Sequence, residues 1–328
     1  MSWDLAEFSK IETDPLKKSI VDTLLMESNV AQFVPWETIN QLTTGNIRIQ
    51  DLPSIGFRNV NGTFTESTGH FEQKYETIAL SGVYIDTDKA IARAKNTVAE
   101  ARAIQQVLTM KAYAYSFNDK FINGNPAAGG DRSKEFKGIS ARIDDTYNLG
   151  FVDQKIQSND PSVGILNSTA AQNAFLDDVD KLIYAIKGHN PDMLLMNHKT
   201  LLAFRSLLRR LGLLNTAQDM FARSVDIYGS ARLVDMGTTA NQSTEIITTT
   251  ETTLGLSGGS ECTSIYAVKF GIGDLLWGIQ EYPMETEDLG LLQTAPTYRT
   301  MVEWNMGLAD VDPRCMGRLY GVVPDASS

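Results

Sequence analysis

The motif in this chain that most suggests catalysis is a glycine-rich stretch, GLSGG at residues 255–259, which matches the G-x-S-x-G pattern of serine hydrolases. In that pattern a strand precedes the serine, a helix follows it, and a later histidine acts as the base. Here a Gly-Gly-Ser turn and a further predicted strand follow Ser257, and the last histidine is His198. The motif therefore predicts a hairpin turn, and Ser257 is not expected to be a nucleophile.

Two other patterns could bind a cofactor or a metal ion. Gly271 and Gly273 form half of a dinucleotide fingerprint, but the third glycine and the following helix are missing, so a turn between strands is expected. Three carboxylates lie in the early part of a predicted helix, where the helix dipole favours acids: Asp177, Asp178 and Asp180. They predict a helix terminus and no metal site.

The histidines and cysteines form no array with the spacing of metal ligands. His70, His189 and His198 are predicted in a loop, at a helix end and at a helix start, in surface roles, although the last two flank a short strand and could approach each other. Cys262 and Cys315 are far apart in sequence and are expected to be reduced, buried thiols. Catalytic residues, cofactor sites and metal sites are therefore all predicted to be absent.

Lys74 is the one remaining candidate for covalent chemistry, because a lysine can form an isopeptide bond with an asparagine or aspartate. That reaction needs a buried acid beside the pair, which the sequence does not show. We expect no such bond at Lys74.

Composition describes an ordinary water-soluble chain of 328 residues, a length that favours about two domains. No apolar run is long enough to cross a membrane, and the N-terminus lacks the regions of a signal peptide. The net charge of −11 argues against a protein that binds the phosphates of nucleic acid. Arg205, Arg209 and Arg210 form the densest basic spot, which predicts a solvated or intersubunit face, so any contact with DNA is weak and non-specific.

The dominant predicted element is one helix over residues 86–122, roughly 50 Å long. Asp86 or Thr87 can cap its start, and Gly124 with Pro126 ends it. Apolar residues at spacings of three and four predict one buried stripe: Ile91, Ala94, Val98, Ala101, Leu108, Ala112 and Tyr115. We expect this stripe to face the closing strands of the same chain near Val302 and Leu319.

The segments before the helix predict an arm and a ribbon. Residues 1–54 begin with a short helix, whose stripe of Leu16, Ile20 and Leu24 is expected to pack on another subunit. Residues 55–85 are rich in β-forming residues around an Asn61-Gly62 turn, which predicts a β-ribbon. A lone two-stranded ribbon is marginal in water, so this ribbon also needs a neighbour.

The segments after the helix predict a compact α+β unit. A helix over 169–187, a buried strand Met193–Met196 and a helix between Asn197 and Gly212 come first. Strands are predicted next, between residues 225 and 282: VDIYG, ARLVDM, TEIITTTETTL, SIYAVKF and DLLWGIQEY. Two closing strands are predicted between residues 296 and 323, joined at Pro313.

This order of parts resembles the major capsid proteins of tailed bacteriophages, which have the Hong Kong ninety-seven fold. The resemblance covers nearly the whole chain, and local sequence matches support it: FINGN at 121–125, FKGI at 136–139, MLLMNHKT at 193–200, Gly273-Asp274, and VEWNMGLADVDPR at 302–314. The α+β fold that it implies has an N-terminal arm (1–54), an E-loop β-ribbon (55–85), a P-domain with a spine helix (86–165 and 290–328) and an A-domain (166–289).

The resemblance implies a shell subunit that is not an enzyme and has no cofactor. Such subunits self-assemble as pentamers and hexamers into an icosahedral or prolate head around double-stranded DNA, in a virion assembled in the host cytoplasm. Residues 1–54 are too few for a built-in scaffolding domain, so scaffolding is expected from a separate protein or from none, with a portal and possible decoration proteins. An encapsulin-type nanocompartment shell and an enzyme with an unrecognised site remain the alternatives.

Overall fold

A computed structural model describes residues 28, 30–51, 53–89, 98–148, 150–159, 163–218, 223–251 and 262–324. The predicted N-terminal helix with Leu16, Ile20 and Leu24, and the motif at Ser257, lie outside these residues.

The described part of the chain contains both helices and sheets, which confirms the predicted α+β class. The helices are α1 (Val98–Asn123), α2 (Ile139–Asn148), α3 (Thr169–Ala185) and α4 (His198–Leu211). The strands are β1 (Trp36–Thr38), β2 (Thr43–Asp51), β3 (His70–Thr77), β4 (Gly82–Asp88), β5 (Lys155–Gln157), β6 (Met193–Met196), β7 (Asn215–Gln218), β8 (Ser224–Tyr228), β9 (Ala231–Asp235), β10 (Thr263–Val268), β11 (Leu276–Gln280), β12 (Glu285–Leu291), β13 (Thr297–Glu303), β14 (Met306–Asp310) and β15 (Met316–Val322).

The largest sheet has seven strands in the order β5-β15-β10-β6-β9-β8-β7 and is covered on both faces. Successive side chains of a strand point to opposite faces, and the fully buried strand β6 shows this directly. Met193 and Leu195 share a core with α1 and α2, whereas Leu194 and Met196 share a core with α3 and α4. Three smaller sheets have the orders β1-β11-β14, β12-β13-β4 and β2-β3.

The helices α3 and α4 confirm the predicted helix–strand–helix unit. The Ser168 side chain caps α3 by accepting from the Ala171 amide at 3.1 Å, and the Asn197 side chain caps α4 by accepting from the Lys199 amide at 2.9 Å. Gly212 ends α4 with a φ of 70°, which only glycine adopts without strain. These local signals positioned both helices correctly because they act within one or two turns.

The long helix differs from its prediction at its start and in its buried face. Asp86 and Thr87 belong to strand β4 and do not cap a helix, while residues 90–97 lie outside the described part. Leu108 is 53% exposed and Ala112 is also exposed. The buried stripe lies on another face of the helix and consists of Met110, Tyr113, Ala114, Phe117, Phe121 and Ile122. Both sets have helical spacing, and the buried set is the one whose Phe117 packs against Trp36 and Trp304.

The structure confirms one of the two contacts predicted for α1, the one near Val302. Val302 of β13 lies in the same core as the buried face of α1, and the Tyr113 hydroxyl donates to the Val302 carbonyl at 3.3 Å. Leu319 of β15 lies in the other core, beside α3 and α4. The seven-stranded sheet separates the two cores. Alternate residues of β15 point to opposite faces of the sheet, and Leu319 points to the face that α3 and α4 cover.

The end of α1 crosses the start of α2 through two glycines. The Gly138 amide donates to the Gly124 carbonyl at 2.8 Å. A Cβ atom on Gly138 would lie 2.5 Å from the Lys120 carbonyl oxygen and 2.8 Å from the Ile122 carbonyl oxygen. The sequences FINGN and FKGI are therefore two halves of one close backbone contact.

Replacing Gly138 by alanine is expected to lower the free energy of unfolding by about 1 to 3 kcal/mol, because backbone atoms must move apart. Gly56→Ala is the matched control, since no atom lies within 4 Å of the added methyl group at that exposed position. Urea unfolding of both variants measures the effect. Equal stabilities for Gly138→Ala and Gly56→Ala would show that the crossing tolerates a side chain.

The described part of the N-terminal arm, residues 30–38, packs on its own subunit. Val30, Ala31, Val34 and Trp36 are buried, and β1 pairs in parallel with β11. The Trp36 ring lies 5.0 Å from the Trp304 ring, measured between centroids. The contact with a neighbouring subunit that is expected for Leu16, Ile20 and Leu24 concerns residues outside the described ranges and stays a prediction.

Several strands differ from their predictions, and the short strands β5 and β7 were not predicted. Residues 244–251 contain only an isolated bridge between Thr238 and Glu245, and the rest of that predicted strand lies outside the described residues. Strand β12 was not predicted because its acidic residues are poor strand formers. The predicted strand over 296–311 divides into β13 and β14 at Trp304 and Asn305, whose side chains turn into the interior.

Candidate assembly interface

A two-stranded ribbon leaves the body of the molecule at residues 43–77. Strands β2 and β3 pair in antiparallel register from Thr43 opposite Thr77 to Asp51 opposite His70. Residues 53–69 form the tip and contain no strand. The ribbon thus begins earlier than the predicted residue 55, and β4 belongs to another sheet. The error arose because the sequence TTGNIRIQ is mostly polar and was interpreted as part of the arm.

The ribbon buries its polar face and exposes its apolar face. Arg48 and Glu76 are buried and Lys74 is half-buried against the body. On the opposite face Ile47, Phe71 and Tyr75 are 65%, 71% and 64% exposed. A sheet that stands alone in water has the reverse arrangement. The outward face of the ribbon, defined by Ile47, Phe71 and Tyr75, is therefore expected to be buried against another protein surface.

The tip extends this apolar surface and has an ordered turn. Ile55, Phe57, Val60 and Phe64 are 87%, 99%, 92% and 68% exposed. The Arg58 guanidinium lies 5.0 Å from the centroid of the Phe64 ring and donates to the Gly62 carbonyl at 3.2 Å. Exposed apolar side chains in one contiguous region typically mark a protein–protein contact.

A buried cluster of four charged groups joins the base of the ribbon to the body. Arg142 of α2 donates to both carboxylate oxygens of Glu76, at 2.6 and 2.8 Å, and also contacts the carboxylate of Asp310. Lys74 donates to Asp310 at 2.8 Å and lies 3.1 Å from Glu76. The side chains of Arg142 and Asp310 are 1% and 0% exposed. Two cations thus balance two carboxylates.

The cluster keeps Arg142 and Asp310 ionised despite their burial. Burial disfavours the charged Arg142 guanidinium, but Asp310 and Glu76 outweigh that cost, so the pKa of Arg142 is raised. Burial likewise disfavours the Asp310 carboxylate, but Arg142 and Lys74 outweigh it, so the pKa of Asp310 is lowered. The two body residues of the cluster, Arg142 and Asp310, are therefore charged at neutral pH.

This electrostatic state bears on the chemistry considered for Lys74. Asp310 is a carboxyl partner that the sequence could not reveal, and its carboxylate contacts the Lys74 amine directly. Glu76 is the acid beside this pair. Amide formation requires a neutral amine and a protonated acid, because water must leave the carboxyl carbon. The lowered pKa of Asp310 opposes that state, so the arrangement favours an ion pair over an isopeptide bond.

The pKa of Asp310 predicts how its contribution to stability varies with pH. A carboxyl whose folded pKa lies below its ordinary value of 3.8 stabilises the fold above that value, and the stabilisation disappears as pH falls through the folded pKa. The difference in unfolding free energy between the wild type and Asp310→Asn is therefore expected to be constant from pH 8 to 5 and to shrink below pH 3.8. Chemical unfolding across that range measures it, and a difference that shrinks between pH 7 and 5 would contradict the ionised cluster.

The other candidate residues have structural surroundings. Gly271 and Gly273 form the turn between β10 and β11, as expected, and Gly273 has a φ of 80°. Asp178 lies in the middle of α3, so the helix dipole does not explain it. It is buried and accepts from the Asn159 amide at 2.7 Å, which ties the chain after β5 to α3.

The histidines have separate partners and do not meet. His189 Nδ1 lies 2.7 Å from the Tyr184 carbonyl oxygen, and His198 Nδ1 lies 2.9 Å from Asp235 Oδ2. His70 is the first residue of β3, so its predicted position in a loop is wrong.

The two thiols are buried, as predicted, and burial raises the pKa of Cys315 well above its usual value. Within the described ranges, no three histidine, cysteine or acidic residues are placed to hold a metal ion. Among the helices of those ranges, none is long and apolar enough to span a bilayer.

Comparison with known proteins identifies this architecture. Residues 13–164 match the family model of major capsid protein GP7. None of the curated protein sequences matches the chain. Over 97% of its length the chain is similar to the SrpI encapsulin of Synechococcus elongatus PCC 7942, covering 93% of that chain, with a TM-score of 0.60 and 14% identity. The chain has the Hong Kong ninety-seven capsid fold. The predicted fold is thereby confirmed.

Two further solved structures share the capsid fold. The capsid of a native GTA particle is similar over 92% of this chain and 90% of that chain, with a TM-score of 0.57 and 11% identity. A structure of Mycobacterium phage Bobi is similar over 93% of this chain and 91% of that chain, with a TM-score of 0.51 and 12% identity. Together with the GP7 match, these likenesses confirm the resemblance to tailed-phage major capsid proteins.

Proposed function

We propose that this capsid-fold protein is the major capsid protein of a tailed phage. It self-assembles as pentamers and hexamers into the icosahedral or prolate head shell that encloses double-stranded DNA. The observation that carries this proposal is the outward apolar face of the ribbon and its tip. A second copy of the chain is the proposed partner of this face, because a surface that binds a different patch on an identical subunit can generate closed rings.

The four-part division also enters this proposal, with revised boundaries. The ribbon with its tip, residues 43–77, is the E-loop, and α1 is the spine helix of the P-domain. The seven-stranded sheet with α3 and α4 is the A-domain, and β15 belongs to its sheet although it lies beyond residue 289. Strand β12, which starts before residue 290, pairs with β13 of the P-domain.

Further partners follow from the same proposal. Packaged double-stranded DNA contacts the shell non-specifically. The net charge of −11 suits a shell that does not bind the DNA tightly. A separate scaffolding protein, a portal and possible decoration proteins complete the head. The protein resides in the virion and assembles in the host cytoplasm. No catalytic role or cofactor is proposed.

An encapsulin-type nanocompartment is the second candidate, favoured by the likeness to the SrpI encapsulin. The match of residues 13–164 to major capsid protein GP7 supports the phage head instead. An extended arm at residues 34–54 no longer separates the two, since residues 43–51 are a strand of the ribbon. An enzyme with an unrecognised site is the alternative outside this class.

Electron microscopy and sedimentation of the purified chain test the proposal. Closed shells or rings of five and six copies are the expected result. A monodisperse monomer at high concentration, with or without added scaffolding protein, would contradict a shell function. Particles from infected cells that contain DNA support the phage head, whereas particles that contain only protein cargo support the nanocompartment.

A further inference from the structure

The direction in which the ribbon leaves the body is set at its base. There Ile78 is buried in a small hydrophobic cluster, Ala79 forms a backbone bridge with Met306, and charged side chains make further contacts. We propose that Arg142 is the positioning residue that fixes this direction through its two-point contact with Glu76. Arg142 lies on α2 and Glu76 on β3, so the contact joins body and ribbon directly.

The Arg142 guanidinium is itself held rigidly by the body. Its Nε donates to the Lys137 carbonyl at 3.0 Å, and Nη2 donates to the Leu308 carbonyl at 2.8 Å. The two terminal nitrogens then bind the two oxygens of Glu76. A planar fork that binds both oxygens of a carboxylate fixes orientation as well as distance. A single-point contact would fix the distance of Glu76 from the body but would restrict its orientation less.

The other charged groups at the base cannot replace this contact. Lys74 reaches Asp310 with one ammonium group, which acts as a point charge and sets no plane. Arg48 of β2 lies 5.6 Å from the centroid of the Phe151 ring, which is a stacking contact without a hydrogen-bonded direction. Cys315 lies near Asp310 but is held as a neutral thiol. Arg142 is thus the group at the base that specifies an angle.

The consequence for the shell rests on the proposed function. The tip lies at the far end of the ribbon, so a small rotation at Glu76 moves Phe57 and Phe64 by a larger distance. A ribbon held in one orientation presents its apolar surface to the next copy. A loosely held ribbon adopts that orientation in only a fraction of the chains. Arg142 therefore acts on assembly through Glu76, without touching the neighbouring copy.

Hydrogen exchange measured by mass spectrometry on Glu76→Gln tests the positioning role in the unassembled chain. Amides of β2 and β3 are expected to exchange at least tenfold faster than in the wild type, while those of β6 are unchanged. Glu72→Gln is the matched control, because it makes the same change on the same strand at an exposed position, and it is expected to leave both regions unchanged.

Two further variants separate the fork from the charge. Arg142→Lys keeps the positive charge and removes the fork, and it is expected to speed exchange in the ribbon as much as Glu76→Gln does. Glu76→Asp keeps the carboxylate and provides a milder change should Glu76→Gln fail to fold, with exchange expected between the wild type and Glu76→Gln. Ribbon exchange at the wild-type rate in Arg142→Lys, or an equal increase in β6, would overturn the positioning role.

These results are independent of the assembly test. If the wild-type chain forms no shells but Glu76→Gln loosens the ribbon, the proposed function fails and the positioning role stands. If shells form and ribbon exchange in Glu76→Gln equals that of the wild type, the positioning role alone fails.

Discussion

Replacing Arg142 by methionine is expected to lower the free energy of unfolding by about 3 to 5 kcal/mol, because it leaves Glu76 and Asp310 buried without their main cation. Methionine keeps the apolar stem of arginine and has a comparable volume, so the main loss is that of the positive charge and its hydrogen bonds. Lys74 remains, but its side chain is 22% exposed and it cannot serve both carboxylates with the geometry of the guanidinium. The cost is therefore that of two poorly compensated buried charges.

Urea unfolding of Arg142→Met measures this loss, and Arg132→Met is the control. Arg132 is exposed and contacts Glu135 at 3.4 Å, and exposed pairs of this kind contribute about 0 to 1 kcal/mol. A loss below about 1 kcal/mol for Arg142→Met would show that Glu76 and Asp310 gain protons or water when the guanidinium is removed.

The second large effect is expected on assembly and not on folding. Phe71→Ser combined with Tyr75→Ser should leave the unfolding free energy within about 0.5 kcal/mol of the wild type, because both side chains are mostly exposed in the single chain. Burial of each aromatic side chain in an interface contributes about 1.5 to 3 kcal/mol. Loss of both weakens the contact between copies at least a hundredfold, since each 1.4 kcal/mol is about a factor of ten.

Sedimentation velocity across a concentration series compares this double variant with Gln73→Ser. Gln73 lies on the same outward face between the two aromatics, so the control tests whether any change on that face disturbs assembly. Gln73→Ser is expected to assemble normally. Assembly of the double variant at wild-type concentrations would show that the outward face of the ribbon is not an interface.

The elements predicted best from the sequence are those with local signals. Ser168, Asn197 and Gly212 act on backbone groups within one or two turns, and the helices they bound were predicted within a few residues. Strand β6 was predicted because four successive apolar residues can be buried only between two layers. In these cases the information that determines the element lies within the element.

The errors occurred where a distant part of the chain decides between two local solutions. Either face of α1 has helical apolar spacing, and the choice depends on Trp36 and Trp304, which pack near Phe117. The start of the ribbon was missed because β2 is polar on the side that contacts the body. That pattern is explained only by the charges of α2 and β14.

The ionic cluster itself was not predicted, although weak signals exist. Arg142 occupies a position between Ile139 and Ile143, which both lie on the buried face of α2. Asp310 follows the buried residues Leu308 and Ala309. A charged residue inside an apolar pattern indicates a buried partner, but the partner is 66 residues away for Glu76 and 168 residues away for Asp310. Only the folded chain shows which charges meet.

Photo-crosslinking from the ribbon tip tests most directly the claim that the ribbon is covered by a second copy. A photoreactive amino acid replaces Phe57, which is 99% exposed in the single chain, and particles are assembled from equal amounts of two differently tagged chains. Irradiation is expected to yield crosslinked dimers that carry both tags, with no such product from unassembled chains. Crosslinks found only within one chain, in particles that are otherwise intact, would contradict the proposed role of the ribbon.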